Sequence, residues 1–472
     1  MMNKLNFTLN KDAFLKDLFD LLAIPSVKDV EHAKPGEPFG PEIARALGQL
    51  LELGEREGFR TKNIDGYAGY IEYGPEEAED YIAILGHTDV VPATGNWTNP
   101  PFEPYVKDGK IFARGAIDDK GPTMAAFYGL KAVKDSGLPI KHRIRLVIGT
   151  DEESGCSCMK YYNTKEPMAL FGFAPDAEFP LIYAEKGRIH TRLEYKVQQH
   201  DKDSDLVLVE LSSGERINMV PDQAYAVISG SRANDAVDKI KQALDNEKTV
   251  YSVEQVENGW KLTVKGTSAH GSEPYGGVNA AFLLANGLKE APFSEAEKTF
   301  ISFLANTLNN DFYGENLGIP FKDDITDRLT VNAGIVRFDH SQGGSVSLDI
   351  RCPVTAPLDE LIETLTSEVK KQGFEIGELI KNEPLYVDQK HPGVQILKKV
   401  YEENTGENDV ELLTSGGGTY AQYLDAGVAF GACFPGKPYT GHQVDEYIEL
   451  DDLLLATQIY ADAIYNLANM DK

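Results

Sequence analysis

Arg143-Ile-Arg-Leu-Val-Ile-Gly-Thr-Asp-Glu-Glu-Ser-Gly155 is the stretch on which the reading of this chain turns. Up to Ile148 it is a short, largely apolar run of the kind that forms a buried strand. The chain then turns and presents Asp151, Glu152 and Glu153 together. Adjacent carboxylates at a strand end repel one another unless cations or hydrogen-bond donors compensate. A metal site would compensate, with one glutamate as ligand and its neighbour as general base. A solvated acidic loop is the plain alternative, and the stretch alone does not choose between them.

The chain has 472 residues, too many for one ordinary core, so two or three domains are expected. With 42% hydrophobic and 25% charged residues it has the composition of a soluble globular protein. Its apolar runs are short, which excludes a membrane span, and the first residues lack the apolar core of a signal peptide, so a cytoplasmic protein is expected. Against 46 basic residues stand 74 acidic ones, for a net charge of −28. That balance excludes a nucleic-acid partner, whose phosphates need a basic face. The cysteines, Cys156, Cys158, Cys352 and Cys433, lack the spacing of a zinc or redox pair and read as reduced thiols.

Upstream of the acidic stretch, helices are expected over 12–22 and 42–58 and strands over 68–73 and 81–85. The second strand delivers Gly86-His-Thr-Asp-Val-Val-Pro92. In extended chain, residues two apart share a side, so His87 and Asp89 can face one site, with the carboxylate holding a ligating imidazole. A structural hydrogen bond would also explain the pair. Arg114-Gly-Ala-Ile-Asp-Asp-Lys-Gly-Pro122 then crowds Asp118 and Asp119 into a turn before an alanine-rich helix at 123–133. Capping that helix needs only one aspartate. Downstream, Phe173-Ala-Pro-Asp-Ala-Glu-Phe-Pro180 sets Asp176 and Glu178 among apolar neighbours.

Between about 187 and 382 the pattern changes to amphipathic strands, read as two strand-and-helix units. The first comprises strands at 189–197, 206–211, 224–228 and 260–265 with a helix at 233–244. A helix from Asn279 and a long irregular stretch separate it from the second, with strands at 329–338 and 345–350 and a helix at 358–373. After 383 an α/β pattern returns. A glycine turn, Leu413-Thr-Ser-Gly-Gly-Gly-Thr-Tyr420, lacks the lysine and spacing of a phosphate loop, which excludes a nucleotide site. A strand at 428–433 follows, then Pro438-Tyr-Thr-Gly-His-Gln-Val-Asp-Glu446 and a closing helix at 451–467. Asp445 and Glu446 read as groups that hold His442.

His-x-Asp-x-x-Pro, Gly-x-x-Asp-Asp-Lys-Gly, Asp-Glu-Glu-Ser-Gly, a later aspartate and a late His-x-x-Asp-Glu, in that order at strand ends, resemble the co-catalytic zinc peptidases and deacylases. That family includes carnosinase, carboxypeptidase G, aminoacylase and succinyl-diaminopimelate desuccinylase. The resemblance spans essentially the whole chain. The large insert and Ile-Asp-Asp-Lys-Gly-Pro-Thr-Met-Ala-Ala are most similar to bacterial dipeptidases of the peptidase V type.

The resemblance implies an α/β/α catalytic domain with a mixed central sheet, residues 1–186 and 383–472. A large α+β lid of two similar halves, 187–382, interrupts it. It implies a zinc-dependent dipeptidase acting on small peptides with free amino and carboxyl ends. Asp118 would bridge two Zn2+ ions, for which Mn2+ or Co2+ could substitute. His87 and Asp176 would complete one ion's ligands, and Glu153 and His442 the other's. Glu152 would be the general base, Asp89 would orient His87, and the Asp118–Asp119 peptide would be cis. In Ile217-Asn-Met-Val-Pro221 and Gly266-Thr-Ser-Ala-His-Gly-Ser-Glu-Pro274, Asn218 and His270 would reach over the substrate, with His270 stabilising an oxyanion. Gly416 and Gly417 are counted with the substrate-binding residues. Arg351 suits bidentate pairing with a substrate carboxylate, or an ordinary salt bridge. The size of the insert leads to the expectation of a monomer. An N-acyl amino acid deacylase or aminotripeptidase is the alternative on the same metal core, and a non-catalytic binding protein the alternative of another class.

Overall fold

The acidic stretch follows a strand, Arg143–Gly149, that is buried after its first residue. Its neighbour Tyr81–His87 is buried throughout, and the two run parallel with His87 beside Gly149. Strands buried at every position need cover on both faces, which gives a helix–sheet–helix layering. The computed structural model describes residues 2–197, 205–257 and 259–471. Contacts divide the chain into one unit of Met1–Ala184 with Leu385–Lys472 and another of Glu185–Pro384.

Across the first unit the main sheet runs Arg60–Ile64, Ala68–Tyr73, Arg143–Gly149, Tyr81–His87, Phe171–Ala174, Gly427–Ala429, Ile182–Glu185 and Leu385–Tyr386. The four strands from Arg143–Gly149 to Gly427–Ala429 are mutually parallel, and the flanks are antiparallel. The sheet is therefore mixed. Parallel central strands end at the same edge, so the segments after His87, Gly149 and Ala174 emerge together there, the usual place for a site in an α/β sheet. Helix Lys120–Ser136 packs against the closing helix Leu450–Leu467. Gly129 permits this close crossing, since a Cβ there would lie 2.9 Å from the Ala461 main-chain nitrogen.

The strand expected at 428–433 is two short pieces, Gly427–Ala429 and Ala432–Cys433, and the second pairs instead with Ala177–Glu178. Gly431 divides them at φ +74°, a left-handed conformation that glycine adopts readily. Phe179 fills the space that a side chain at Gly431 would need.

The second unit is built on one eight-stranded sheet: Val250–Val256, Gly259–Lys265, Gln223–Ser229, Val207–Ser213, Thr330–Asp339, Gly343–Cys352, Gly187–Tyr195 and Phe374–Asn382. Every pairing in it is antiparallel. The division into two consecutive units is corrected in one respect. Gly187–Tyr195, read as opening the first, lies inside the second, between Gly343–Cys352 and Phe374–Asn382. Each half is then strand, strand, helix, strand, strand, but the second takes one strand from ahead of the first. The helices are Ala233–Asn246 and Leu358–Lys371, and apolar residues of both join a core shared with the sheet. The stretch after Asn279 is more ordered than expected. The helix expected from Asn279 is Ala280–Leu288, and beyond it lies a second helix, Glu295–Ser302, started by a Ser294–Glu297 capping box. Among the described residues no helix is long and apolar enough to cross a membrane.

Candidate metal centre

His87 ends its strand fully buried. Gly86 before it is bare because a Cβ would lie 2.1 Å from Thr123 Oγ1, and that hydroxyl donates to Asp119 Oδ2 at 2.8 Å. The ring of His87 places Nδ1 2.9 Å from the main-chain carbonyl of Asp89. A carbonyl only accepts, so Nδ1 carries the proton there and Nε2 turns its lone pair to the site. The Asp89 carboxylate is more distant, 3.4 Å from Nδ1. Its two oxygens accept from the amides of Glu152 and Glu153, each at 3.1 Å. The expected orientation of His87 by Asp89 thus runs chiefly through the main chain, while the carboxylate shapes the acidic turn.

Nε2 of His87 lies 3.1 Å from Asp118 Oδ1 and 3.6 Å from Asp176 Oδ2, yet it makes no hydrogen bond. Groups this close without bonding converge on a shared point. On the other side, His442 Nε2 lies 3.0 Å from Asp118 Oδ2 and 2.9 Å from Glu153 Oε2. Asp118 therefore turns one oxygen to each histidine. The peptide between Asp118 and Asp119 is cis. Asp119 points away from the convergence, accepting from the His87 amide at 3.1 Å, and Glu178 is exposed where Asp176 turns inward.

Of the three turn carboxylates, Asp151 is not available to the site. It accepts from Lys28 Nζ at 2.7 Å, Ser154 Oγ at 2.6 Å and the Ser157 amide at 3.0 Å, and so holds the turn. Oxygens of Glu152 and Asp176 lie with a His87 nitrogen in one group within 4.8 Å, as do those of Asp118 and Glu153 in a second. Gly149 keeps this turn close to Tyr420, whose hydroxyl would lie 2.2 Å from a Cβ. Nor do Asp445 and Glu446 hold His442, as the sequence suggested. Asp445 accepts from the Thr98 amide and hydroxyl. Glu446, fully buried, pairs with Arg114 and accepts from the amides of Gly115, Ile117 and Asp118 at 3.1–3.3 Å. It anchors the segment that carries Asp118. His442 itself sits at φ +64°, a conformation uncommon for a non-glycine residue.

Carboxylates packed this tightly disturb one another. Burial and the charge of Asp176 push Glu152 well above the usual carboxylate range. Burial and Asp118 raise Glu153 to about 7 and Asp176 to about 6. Burial opposes charge on His442, but Asp118 and Glu153 raise it to about 11. The cluster is short of positive charge, and nitrogen with carboxylate oxygen is a donor set that suits zinc and its neighbours. The orphaned Nε2, the split Asp118 carboxylate and this deficit together fit divalent cations.

Residues missed in the sequence include Tyr439, whose hydroxyl donates to Asp118 Oδ2 at 2.7 Å. Others are Lys28 and Arg114, which meet the site only through Asp151 and Glu446. Gly416 and Gly417 follow strand Leu413–Ser415, with the Gly417 amide on Ser415 Oγ.

Asn218, His270 and Arg351 belong to the second unit. Main-chain bonds join the two loops: Gly271 N donates to Asn218 O at 2.7 Å and Val220 N to Ala269 O at 2.9 Å. Buried Asn332 donates to the carbonyls on either side of Asn218, Ile217 and Met219. His270 Nδ1 accepts from the Ser272 amide at 3.3 Å, which leaves the ring proton on Nε2 as a donor. Arg351 is buried, and its Nε and Nη2 both donate to Asp349 at 2.8 Å. The side-on fork expected for a substrate carboxylate is thus engaged within the unit.

Residues 83–466 match the model of a family described as "Peptidase family M20/M25/M40". A "Putative dipeptidase YtjP" of Bacillus subtilis is 46% identical over 459 residues, 97% of this chain and 98% of that one. Among solved structures, human carnosine dipeptidase 1 aligns with a TM-score of 0.55 at 16% identity, over 97% of both chains. A tripeptidase from Staphylococcus aureus aligns at 0.57 and 16%, over 98% of this chain and 99% of that one. At such identities these structures speak to fold alone.

Proposed function

The chain belongs to peptidase family M20/M25/M40, and from that membership we propose that this peptide hydrolase is a zinc-dependent dipeptidase acting on dipeptides with free amino and carboxyl ends. The observation that carries the metal assignment is Asp118, one oxygen toward each histidine. The 46% identical relative named as a dipeptidase supports the substrate class. His87 and Asp176 would hold one Zn2+, Glu153 and His442 the other, with Asp118 between them. Mn2+ or Co2+ could take their place. When bound, such ions polarise the scissile carbonyl and acidify a water.

The chain's own groups do the rest. Glu152, held by its amide on Asp89, takes the proton of the attacking water at its carboxylate and returns it to the leaving amine. His270 offers Nε2–H to the oxyanion, and Asn218, Gly416 and Gly417 bind the peptide. Arg351, its plane fixed by Asp349, sets substrate length through the terminal carboxylate. The second unit, which carries Asn218, His270 and Arg351, is the lid of this reading, and the chain works as a monomer.

Product-resolved turnover on dipeptides, tripeptides, dipeptide amides and N-acyl amino acids tests this reading. Dipeptides should be cleaved far faster than the rest. Arg351→Ala should lose at least about tenfold on dipeptides, from the truncated charge pair, and little on amides. Preference for N-acyl substrates, or an equal fall on acids and amides, would contradict the assignment.

A further inference from the structure

Tyr439 opens the turn that carries His442, and its ring folds back over that turn. Gly441 makes this possible, because a Cβ there would lie 2.6 Å from the Tyr439 ring and hydroxyl. The turn is closed by Gln443 Nε2 on the Tyr439 carbonyl at 2.9 Å and by Thr440, whose hydroxyl donates to Tyr447 O and accepts from Tyr447 N. The phenol is therefore held in place, and it donates to Asp118 Oδ2 at 2.7 Å.

A carboxylate oxygen offers two in-plane lone-pair sites. On Asp118 Oδ2 the phenol takes one, and His442 Nε2 stands 3.0 Å from the same oxygen. Oδ1 faces His87 at 3.1 Å. The backbone amide of Asp118 is meanwhile anchored 3.3 Å from Glu446 Oε1. One segment, 439–446, thus fixes Asp118 at both its main chain and its carboxylate.

We propose that Tyr439 is a positioning residue for the two-cation centre: its hydroxyl sets the rotation of the Asp118 carboxylate, so that one oxygen addresses the His87 side and one lone pair of the other addresses the His442–Glu153 side. This rests on the two-cation reading given above. A tyrosine that merely packed would tolerate loss of its hydroxyl. A hydrogen bond to a ligating carboxylate orients it, and removing such outer partners typically weakens metal binding about 10–100-fold.

The test is Tyr439→Phe in the full chain, stripped of metal and titrated with Zn2+ against a chromophoric chelator. At least one of the two dissociation constants should rise about 10–100-fold. Turnover lost at limiting zinc should return with excess zinc, and the metal-free thermal unfolding midpoint should match that of the unaltered chain. Gly441→Ala, which displaces the ring but keeps the hydroxyl, should weaken the same constant. Two ions bound by both chains with equal affinities would overturn the assignment of Tyr439 alone. A single ion in the unaltered chain would overturn the two-cation reading, and this inference with it.

Discussion

Asp118 is where the side chains of this cluster meet. Its carboxylate reaches both histidines and its amide is fixed from the C-terminal segment. Glu152 stands beside this arrangement with its amide tied to Asp89. One of its oxygens lies within 4.8 Å of atoms of His87 and Asp176 that could ligate the same cation, so a variant is needed that separates base from ligand. Glu152→Gln should keep both metals and lose turnover by about 100-fold or more, the usual worth of a general base. Loss of a metal along with activity would make Glu152 a ligand. His87, Asp118, Glu152, Glu153, Asp176 and His442, which the structure brings together, were legible as candidates because their side chains can ligate a cation or move a proton and the order of their motifs resembles a known family. Their partners were not. Tyr439, Arg114 and Lys28 are ordinary residue types whose contacts at the site span from 123 to 332 residues of chain, and Asp89 acts partly through a carbonyl every residue has.

At the scale of elements, strand Gly343–Cys352 shows how the second unit holds its loops. Asp349, fully buried in it, accepts from Arg351 through both oxygens and lies 3.1 Å from His190 Nε2. Burial works against its charge, but Arg351 and His190 more than offset that and hold it at about 2, below the ordinary 3.8. A carboxyl depressed on folding stabilises the native state above its unfolded value. Its share, about 2 kcal/mol, is complete above pH ~4 and fades as the pH falls toward 2. Asp349→Asn strands Arg351 and should cost about 3–5 kcal/mol at neutral pH. In urea unfolding, the gap between the two chains should narrow as pH falls from about 4 toward 2. A constant gap would mean that the pair contributes no charge-dependent stability. The strands themselves were legible from alternation, since most face a core on one side only. Which strand pairs with which was not: the early strand Gly187–Tyr195 completes the later half, a choice made by the sheet rather than by local sequence. The Ser294–Glu297 capping box and Pro392 at the start of helix Pro392–Thr405 are local start signals, weaker in sequence than the apolar spacing that marks the longer helices.

As a whole molecule, the chain divides its proposed functions between two units, cation ligands and Glu152 in one, His270, Asn218 and Arg351 in the other. If the chain acts as a monomer, His270 serves its own metal centre. Inactive Glu152→Gln and inactive His270→Ala proteins, mixed, should then stay inactive. Recovered turnover would show that one chain lends its histidine to another. Whether two cations assembled around Asp118 make this protein a dipeptidase is decided by one titration. The chelator-stripped chain is given Zn2+ stepwise while bound metal and dipeptide hydrolysis are followed together. Without metal there should be no hydrolysis, binding should saturate at two ions per chain, and full turnover should come only as the second site fills. Hydrolysis by the stripped chain, or full turnover with a single ion bound, would contradict the two-cation reading.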